Sequence, residues 1–230
     1  MGTTLAAALR VVGVDVRGPL GRGETAGGTG AAIVLLCVPD REIAAAAALI
    51  DEGPVVGHVS ASAPLDLLAP HERFSLHPLL SVVGAEASFD GAHCAIDGSG
   101  PAALDTARAL AARLGMHARL IPADQRALYH AAASAASNFL ITVEGMAERL
   151  AELVGLERSA LVPLVRATVD NWARQGARAA LTGPIARGDL VTAARQRDAV
   201  ADAAPDLLPI WDALATETRE LARPSATDAA

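Results

Sequence analysis

The first 122 residues alternate between short apolar, β-branched runs and alanine-rich stretches of helical periodicity. The runs predict strands at residues 14–20, 32–39, 55–60, 73–77, 93–97 and 117–121. Between them, helices are expected at 3–12, 40–51, 64–68 and 101–114. Apolar strands that alternate with helices are typical of a parallel sheet covered on both faces, so this part of the chain is predicted to be an α/β unit.

After Pro122 the strand pattern stops, and helices are predicted at residues 124–154, 159–180, 189–203 and 209–223. Gly183-Pro184 is expected to end the second of these helices, and Asp189 is expected to cap the third. We therefore expect one domain at 1–122, an all-α domain at 123–223 for substrate binding and dimerisation, and a disordered tail at 224–230.

Composition excludes several classes of protein. A net charge of −7 and 3% aromatic residues argue against nucleic-acid binding. The longest apolar runs are shorter than the ~20 residues that span a bilayer, so we expect a cytoplasmic protein without membrane contact. Cys37 and Cys94 form no CxxC motif, so they are expected to be buried free thiols, and no metal site is expected. All 19 basic residues are arginine, which removes lysine chemistry.

The chain opens directly into the helix expected at residues 3–12. A doubly wound nucleotide-binding sheet starts with a strand and a G-x-G-x-x-G loop before that helix. Gly2 corresponds to the last of these glycines, so the sheet is expected to lack its first strand and the domain to be truncated at its N-terminus.

Four segments together resemble one known family. They are Cys37-Val38-Pro39-Asp40, Ser75-Leu76-His77-Pro78-Leu79, the stretch from Ala127 to Asn138, and Leu181 to Asp189. The chain is identified as a member of the Rossmann-like proteins with a helical C-terminal domain of unknown function. They belong to the 6-phosphogluconate dehydrogenase-like superfamily, with pyrroline-5-carboxylate reductase and deazaflavin-dependent NADP oxidoreductases as relatives. The resemblance implies an α/β Rossmann-like sheet followed by helices, and a homodimer formed through the helical domain.

Seven residues are candidates for cofactor binding. Arg17 lies in the expected strand 14–20, and Arg22 follows it. An NAD-binding protein has a carboxylate in this region, whereas an arginine there can pair with the 2′-phosphate of NADP. A solvated surface position is the alternative for both. The remaining candidates lie at the glycine turn or at strand ends, where open sheets bind ligands: Gly2, Val38, Pro39, Ser60 and His77. Ala61 stands where the family has glycine, and would be strained if its φ were positive.

The helix from Asp124 presents a polar stripe, because His130, Ser134, Ser137 and Asn138 share one face. His130 is predicted to donate a proton, with Ser134 and Asn138 orienting the substrate. Hydrogen bonds to backbone carbonyls are the alternative for the stripe. Tyr129 points about 100° away from His130, so only one of the two is expected to face the substrate squarely.

Arg187 is predicted to hold an acidic group of the substrate. The sequence thus favours an oxidoreductase that transfers hydride to a small carbonyl or imine, with NADP preferred and NAD the alternative. A non-catalytic protein of the same fold, which binds a nucleotide or serves dimerisation, is the competing interpretation.

Overall fold

In a computed structural model of the chain, five short strands form one sheet. They are β1 (Ile33–Leu36), β2 (Val55–His58), β3 (Arg73–Pro78), β4 (His93–Gly98) and β5 (His117–Leu120), and they lie side by side in sequence order. All neighbours are parallel except β3 and β4, which are antiparallel. The structure describes residues 1–21, 24, 27–82, 84 and 87–224. The predicted α/β class is confirmed, with a sheet that is mostly rather than wholly parallel.

The reversal between β3 and β4 follows from their connection. Where the structure describes residues 79–92, that connection contains no helix. A parallel neighbour requires a crossover, usually helical, that returns the chain to the starting end of the sheet. Without one, β4 pairs with β3 in the opposite direction, and Ser75 faces Asp97 across the pair.

The chain divides into two compact units, Met1–Asn138 and Phe139–Ala230. In the first unit, α1 (Gly2–Val11) and α3 (Pro101–Arg113) cover one face of the sheet, where Phe74, Leu76 and Ile96 are buried with Ala103 and Ala107. The short helix α2 (Ile43–Ala47) covers part of the other face, where Val56 packs with Ile43 and Leu68. These helices were predicted, although α2 is much shorter than the expected 40–51.

The strand predicted at residues 14–20 is wrong. The residues form no ladder with any neighbour, and the amide of Val14 donates to the carbonyl of Leu9 behind α1. Val14 and Val16 still pack against the core, which explains the apolar pattern. Pro19 has no amide hydrogen to donate to a ladder.

In the second unit all described elements are helical. The helix expected over 159–180 is interrupted, because Gly176 takes a φ of 79° between α6 and α7. The predicted cap is confirmed, since the Asp189 carboxylate accepts the Thr192 amide at 3.0 Å. No helix among the described residues is long and apolar enough to cross a membrane. The helices are α5 (Leu140–Glu152), α6 (Arg158–Gln175), α7 (Ala177–Ala180), α8 (Leu190–Ala203) and α9 (Leu208–Ala222).

The first unit also contains α4 (Arg126–Ser134), which continues as the π-helical turn Ala135–Phe139. A π turn shifts the angular position of every later side chain on a helix. Ser137 and Asn138 lie within this turn, so they do not continue the polar face that a regular α-helix would give to His130 and Ser134.

Candidate functional site

Three parallel strands end at the same edge of the sheet, which we call the carboxyl edge. Asp40 follows β1, Ser60 follows β2, and His77 lies near the end of β3. Open α/β sheets bind their ligands outside this edge. The sequence-predicted residues Ser60 and His77 are therefore both at the position that the strand pattern indicated.

Asp40 organises the turn after β2. Its Oδ2 accepts hydrogen bonds from the hydroxyls of Ser60 at 2.7 Å and Ser62 at 3.1 Å. The Ser60 oxygen in turn accepts the Ala63 amide at 2.9 Å. The Asp40 side chain caps neither the short helical turn that it starts nor the helix that follows. A tightly bonded serine loop therefore forms this part of the carboxyl edge.

Arg126 joins the start of α4 to the sheet. Only 4% of it is exposed, and its guanidinium donates to the carbonyls of Ala61 (3.1 Å) and Ser60 (3.2 Å) and to the Ser75 hydroxyl (2.7 Å). Its Nη1 also lies 3.8 Å from a carboxylate oxygen of Asp97. These four partners of Arg126 all belong to the first unit. Ala61, which stands where the family has glycine, does not have a positive φ, so the backbone strain considered from the sequence is not present.

One turn further along α4, two side chains meet His77. The Tyr129 hydroxyl lies 2.8 Å from His77 Nδ1, and the two rings are nearly perpendicular at 88°. The ring of His130 lies 6.4 Å from that of His77, centre to centre. Tyr129 and His130 thus both lie near the His77 ring, and that only one of them faces the substrate squarely stays a prediction.

Two imidazoles of this edge, those of His77 and His58, are held neutral by their lowered pKa values. Burial lowers the pKa of His77 to about 4, and the nearby His130 and Arg126 add to the effect. His58, at the end of β2, is fully buried, and its pKa is likewise lowered to about 4, chiefly by burial and then by Arg126. Its Nδ1 accepts the Ser60 amide at 3.2 Å, so the neutral ring carries its proton on Nε2, which has no partner among the described residues. Such an edge favours hydrogen bonding over strong acid chemistry.

Other predicted cofactor residues lie at the start of α1 and beyond the end of β1. A Cβ on Gly2 would come within 3.1 Å of the Cys37 Cβ, so glycine lets the first turn of α1 approach β1 closely. Val38 is half-buried and Pro39 exposed, directly before Asp40. Arg17 is exposed and donates to the Thr29 carbonyl at 3.1 Å. Arg22 lies outside the described residues.

The remaining predicted catalytic residues are Ser134, Asn138 and Arg187. Ser134 is half-buried at the end of α4, and Asn138 lies in the π-helical turn, where it takes part in further interactions. Arg187 belongs to the second unit, where it is exposed in the loop before α8 and contributes to lowering the pKa of Asp189, after the hydrogen bonds from Thr192.

Sequence reasoning missed Arg126, Asp97 and His58. Arg126 is four residues after Pro122, and an arginine at the start of a helix opposes the helix dipole, so it is favoured there only if something else binds it. That local conflict was the one signal available. His58 lies in an apolar strand, where a histidine is easily read as a core residue.

Comparisons with known proteins agree on the family and fold. Residues 92–218, more than half of the chain, match the family model described as a domain of unknown function, DUF2520. A comparison with curated proteins finds no match. A protein of Thermotoga maritima is 26% identical, over 82% of this chain and 77% of its own, with a TM-score of 0.72.

Two further solved structures share the fold at lower identity. A Bacteroides fragilis protein assigned as a candidate NADP oxidoreductase is 19% identical, with a TM-score of 0.80 over 95% of this chain and 93% of its own. The Plasmodium falciparum pyrroline carboxylate reductase, solved with NADP bound, is 9% identical, with a TM-score of 0.59 over 97% of this chain and 95% of its own. The chain therefore has a Rossmann-like fold with a helical C-terminal region.

Proposed function

This chain belongs to the family of the domain of unknown function DUF2520, and from that premise we propose that it is an NAD(P)-dependent oxidoreductase that reduces a small carbonyl or imine. The observation that carries the proposal is the convergence of His77, Tyr129 and His130 at the carboxyl edge. Ligands of open α/β sheets bind there, and proton-donating groups are what the reduction of a polar double bond requires.

The residues present fit a dinucleotide. Among the described residues no side chain caps the first turn of α1, and the missing Cβ of Gly2 allows α1 to lie against Cys37 at the end of the sheet. Helix N-termini in this position bind diphosphates. When bound, a reduced nicotinamide supplies hydride to the carbon of the substrate.

The chain's own side chains have three tasks around that ligand. Asp40 holds the serine loop after β2, so that backbone and hydroxyl groups are fixed where the cofactor would border the sheet. Arg126 anchors α4, and His77 or His130 supplies the proton that the reduced substrate takes up. Ser134 and Asn138 as orienting groups, and Arg187 as the clamp for an acidic group, remain proposals from the sequence.

NADP is the preferred cofactor in this proposal because Arg17 offers an exposed guanidinium, held through its bond to the Thr29 carbonyl. Arginine pairs well with a 2′-phosphate. An Arg17→Ala variant is expected to bind NADPH about tenfold more weakly and to keep its affinity for NADH. Arg108→Ala, an exposed arginine paired with Asp105, is the matched control.

The test of the function is direct. The purified full chain is titrated with NADPH and NADH by fluorescence, and a panel of 2-oxo acids and cyclic imines is then screened for oxidation of the bound nucleotide. We expect micromolar binding and turnover of at least one probe. Binding without turnover favours the non-catalytic alternative, and the absence of binding to either nucleotide refutes the oxidoreductase proposal.

A homodimer is proposed on separate grounds. The helix α6 buries none of its 18 residues, and its apolar side chains Leu164, Val169 and Trp172 are exposed. Exposed apolar surface of this kind is typical of protein interfaces. Light scattering is expected to give twice the chain mass, and Leu164→Glu is expected to give the monomer; a monomeric wild type refutes this part.

A further inference from the structure

The contact between His77 and Tyr129 joins the sheet to α4 through two groups that exchange protons. The Tyr129 oxygen lies 2.8 Å from His77 Nδ1. The other ring nitrogen, Nε2, has no partner among the described residues, and it is not one of their two buried unpartnered side-chain atoms, which are His58 Nε2 and Arg73 Nε. Nε2 of His77 is therefore open to a ligand.

The protonation of the pair follows from its surroundings. With a pKa lowered to about 4 by burial, His77 is neutral at pH 7 and carries one ring proton. Burial also raises the pKa of Tyr129, so the phenol keeps its proton. The 2.8 Å contact is compatible with a Tyr129 hydroxyl that donates to His77 Nδ1, and in that arrangement the ring proton of His77 lies on Nε2.

We infer that Tyr129 and His77 form a proton relay in which Nε2 of His77 protonates the substrate while Nδ1 takes the proton of Tyr129. This inference rests on the proposed reductase function. As hydride from the reduced dinucleotide reaches the substrate carbon, the C=O or C=N electron pair moves to the heteroatom. The Nε2–H bond breaks and an O–H or N–H bond forms on the substrate. The O–H bond of Tyr129 breaks, an Nδ1–H bond forms, and a phenolate remains.

The relay explains why a neutral imidazole can serve as the donor. A neutral imidazole is a very weak acid when it must become an anion, but here it gains a proton on one nitrogen as it loses one from the other. The negative charge is transferred to Tyr129, where burial raises the pKa of the phenol and the nearby Arg126 cation offsets part of that rise. Solvent then returns a proton to the phenolate.

His130 is the competing donor, and two features favour the relay over it. His130 is exposed, whereas His77 and Tyr129 are both partly buried. The 6.4 Å between the centres of the two imidazoles places His130 beside His77 as a neighbour, with no hydrogen bond between them among the described residues. Of the two histidines, His77 is the one with a hydrogen-bonded group, the Tyr129 hydroxyl, that can replace the proton it gives to the substrate.

A first test requires no substrate. Nitrogen-15 NMR of the six histidines, assigned with His77→Gln, distinguishes the two neutral tautomers of the ring. We expect His77 to carry its proton on Nε2. In Tyr129→Phe the pKa of His77 is expected to rise by about half a unit to one unit, because the hydrogen bond that favours the neutral ring is lost. The Nδ1–H tautomer, or an unchanged pKa, overturns the relay.

A second test uses turnover of the probe substrates with NADPH. Tyr129→Phe and His77→Gln are expected to lower kcat by about a hundredfold or more and to leave the Kd for NADPH within about twofold. His117→Gln, an exposed histidine on β5, is the control that keeps kcat. A hundredfold loss in His130→Ala, with Tyr129→Phe near wild type, overturns the relay in favour of His130. If the wild type turns over no probe, the reductase function fails, and the relay is overturned with it even where NMR shows the expected tautomer.

Discussion

Replacing Arg126 by methionine tests whether α4 is held to the sheet by one side chain. Methionine keeps the length and apolar stem of arginine but removes its donors. The Ser75 hydroxyl and the carbonyls of Ala61 and Ser60 then lose their partners in a buried environment, and Asp97 loses the cation near it.

The magnitude follows from the burial of these groups. Removing one side of a buried, hydrogen-bonded ion pair destabilises a protein by about 3–5 kcal/mol. Here the carboxylate is 3.8 Å away and one-fifth exposed, so it regains part of its hydration and the lower end applies. We expect Arg126→Met to lower the free energy of unfolding of the first unit by about 3 kcal/mol.

Urea denaturation can assign this loss to the first unit. Both tryptophans, Trp172 and Trp211, lie in the second unit, so their fluorescence reports on that unit, whereas circular dichroism reports on both. The variant is expected to shift the dichroism transition and to change the tryptophan transition less. Arg108→Met, which removes an exposed arginine paired with Asp105, should change stability by less than about 0.5 kcal/mol. A loss below about 1 kcal/mol in Arg126→Met would refute the anchoring role.

Three further changes test the core and the buried groups. In Gly57→Ala the new Cβ would lie 2.3 Å from the Phe74 ring, so the variant should unfold about 2 kcal/mol more easily in urea; an unchanged midpoint contradicts this. His58 binds a proton in the unfolded chain near pH 6.5 but in the folded chain only near pH 4, so stability should fall as pH drops from 6.5 to 4, by roughly 3 kcal/mol. His58→Leu should remove that part of the pH dependence, and an unaltered slope would contradict the assignment. Burial raises the pKa of the Cys37 and Cys94 thiols to about 11, so neither should react quickly with a disulfide reagent at pH 8 until urea is added.

The sheet could be predicted from the sequence because its strands are apolar along their whole length. Five of the six expected strands are present, and the exception, residues 14–20, packs as an apolar segment without pairing. Apolar periodicity records burial, and it cannot distinguish a paired strand from an unpaired buried segment. Ser60 and His77 were found for a related reason, since the end of a strand is visible in the sequence and determines which edge a residue occupies.

The arrangement around Arg126 could not be predicted in the same way. The arginine binds the carbonyls of residues 60 and 61, which are 66 and 65 positions away in the chain. Helical periodicity compares neighbours three or four residues apart, so it selected the stripe from His130 to Asn138 and passed over a buried cation at the start of the helix. A pairing between distant backbone and side-chain groups leaves no periodic pattern.

Because the chain has no lysine, the proposed chemistry depends on the protonation state of its histidines. With lysine unavailable, the donors that can serve near neutral pH are imidazoles, and at the carboxyl edge burial holds His58 and His77 neutral. A neutral imidazole gives directed hydrogen bonds but little acid strength. In the proposed relay, a donor built on one of these two rings needs a second proton source in contact with the ring, and Tyr129, the one tyrosine of the chain, is hydrogen-bonded to His77. If the proposed relay operates, the anchoring of α4 by Arg126 serves the chemistry as well as stability, because it determines where that phenol lies.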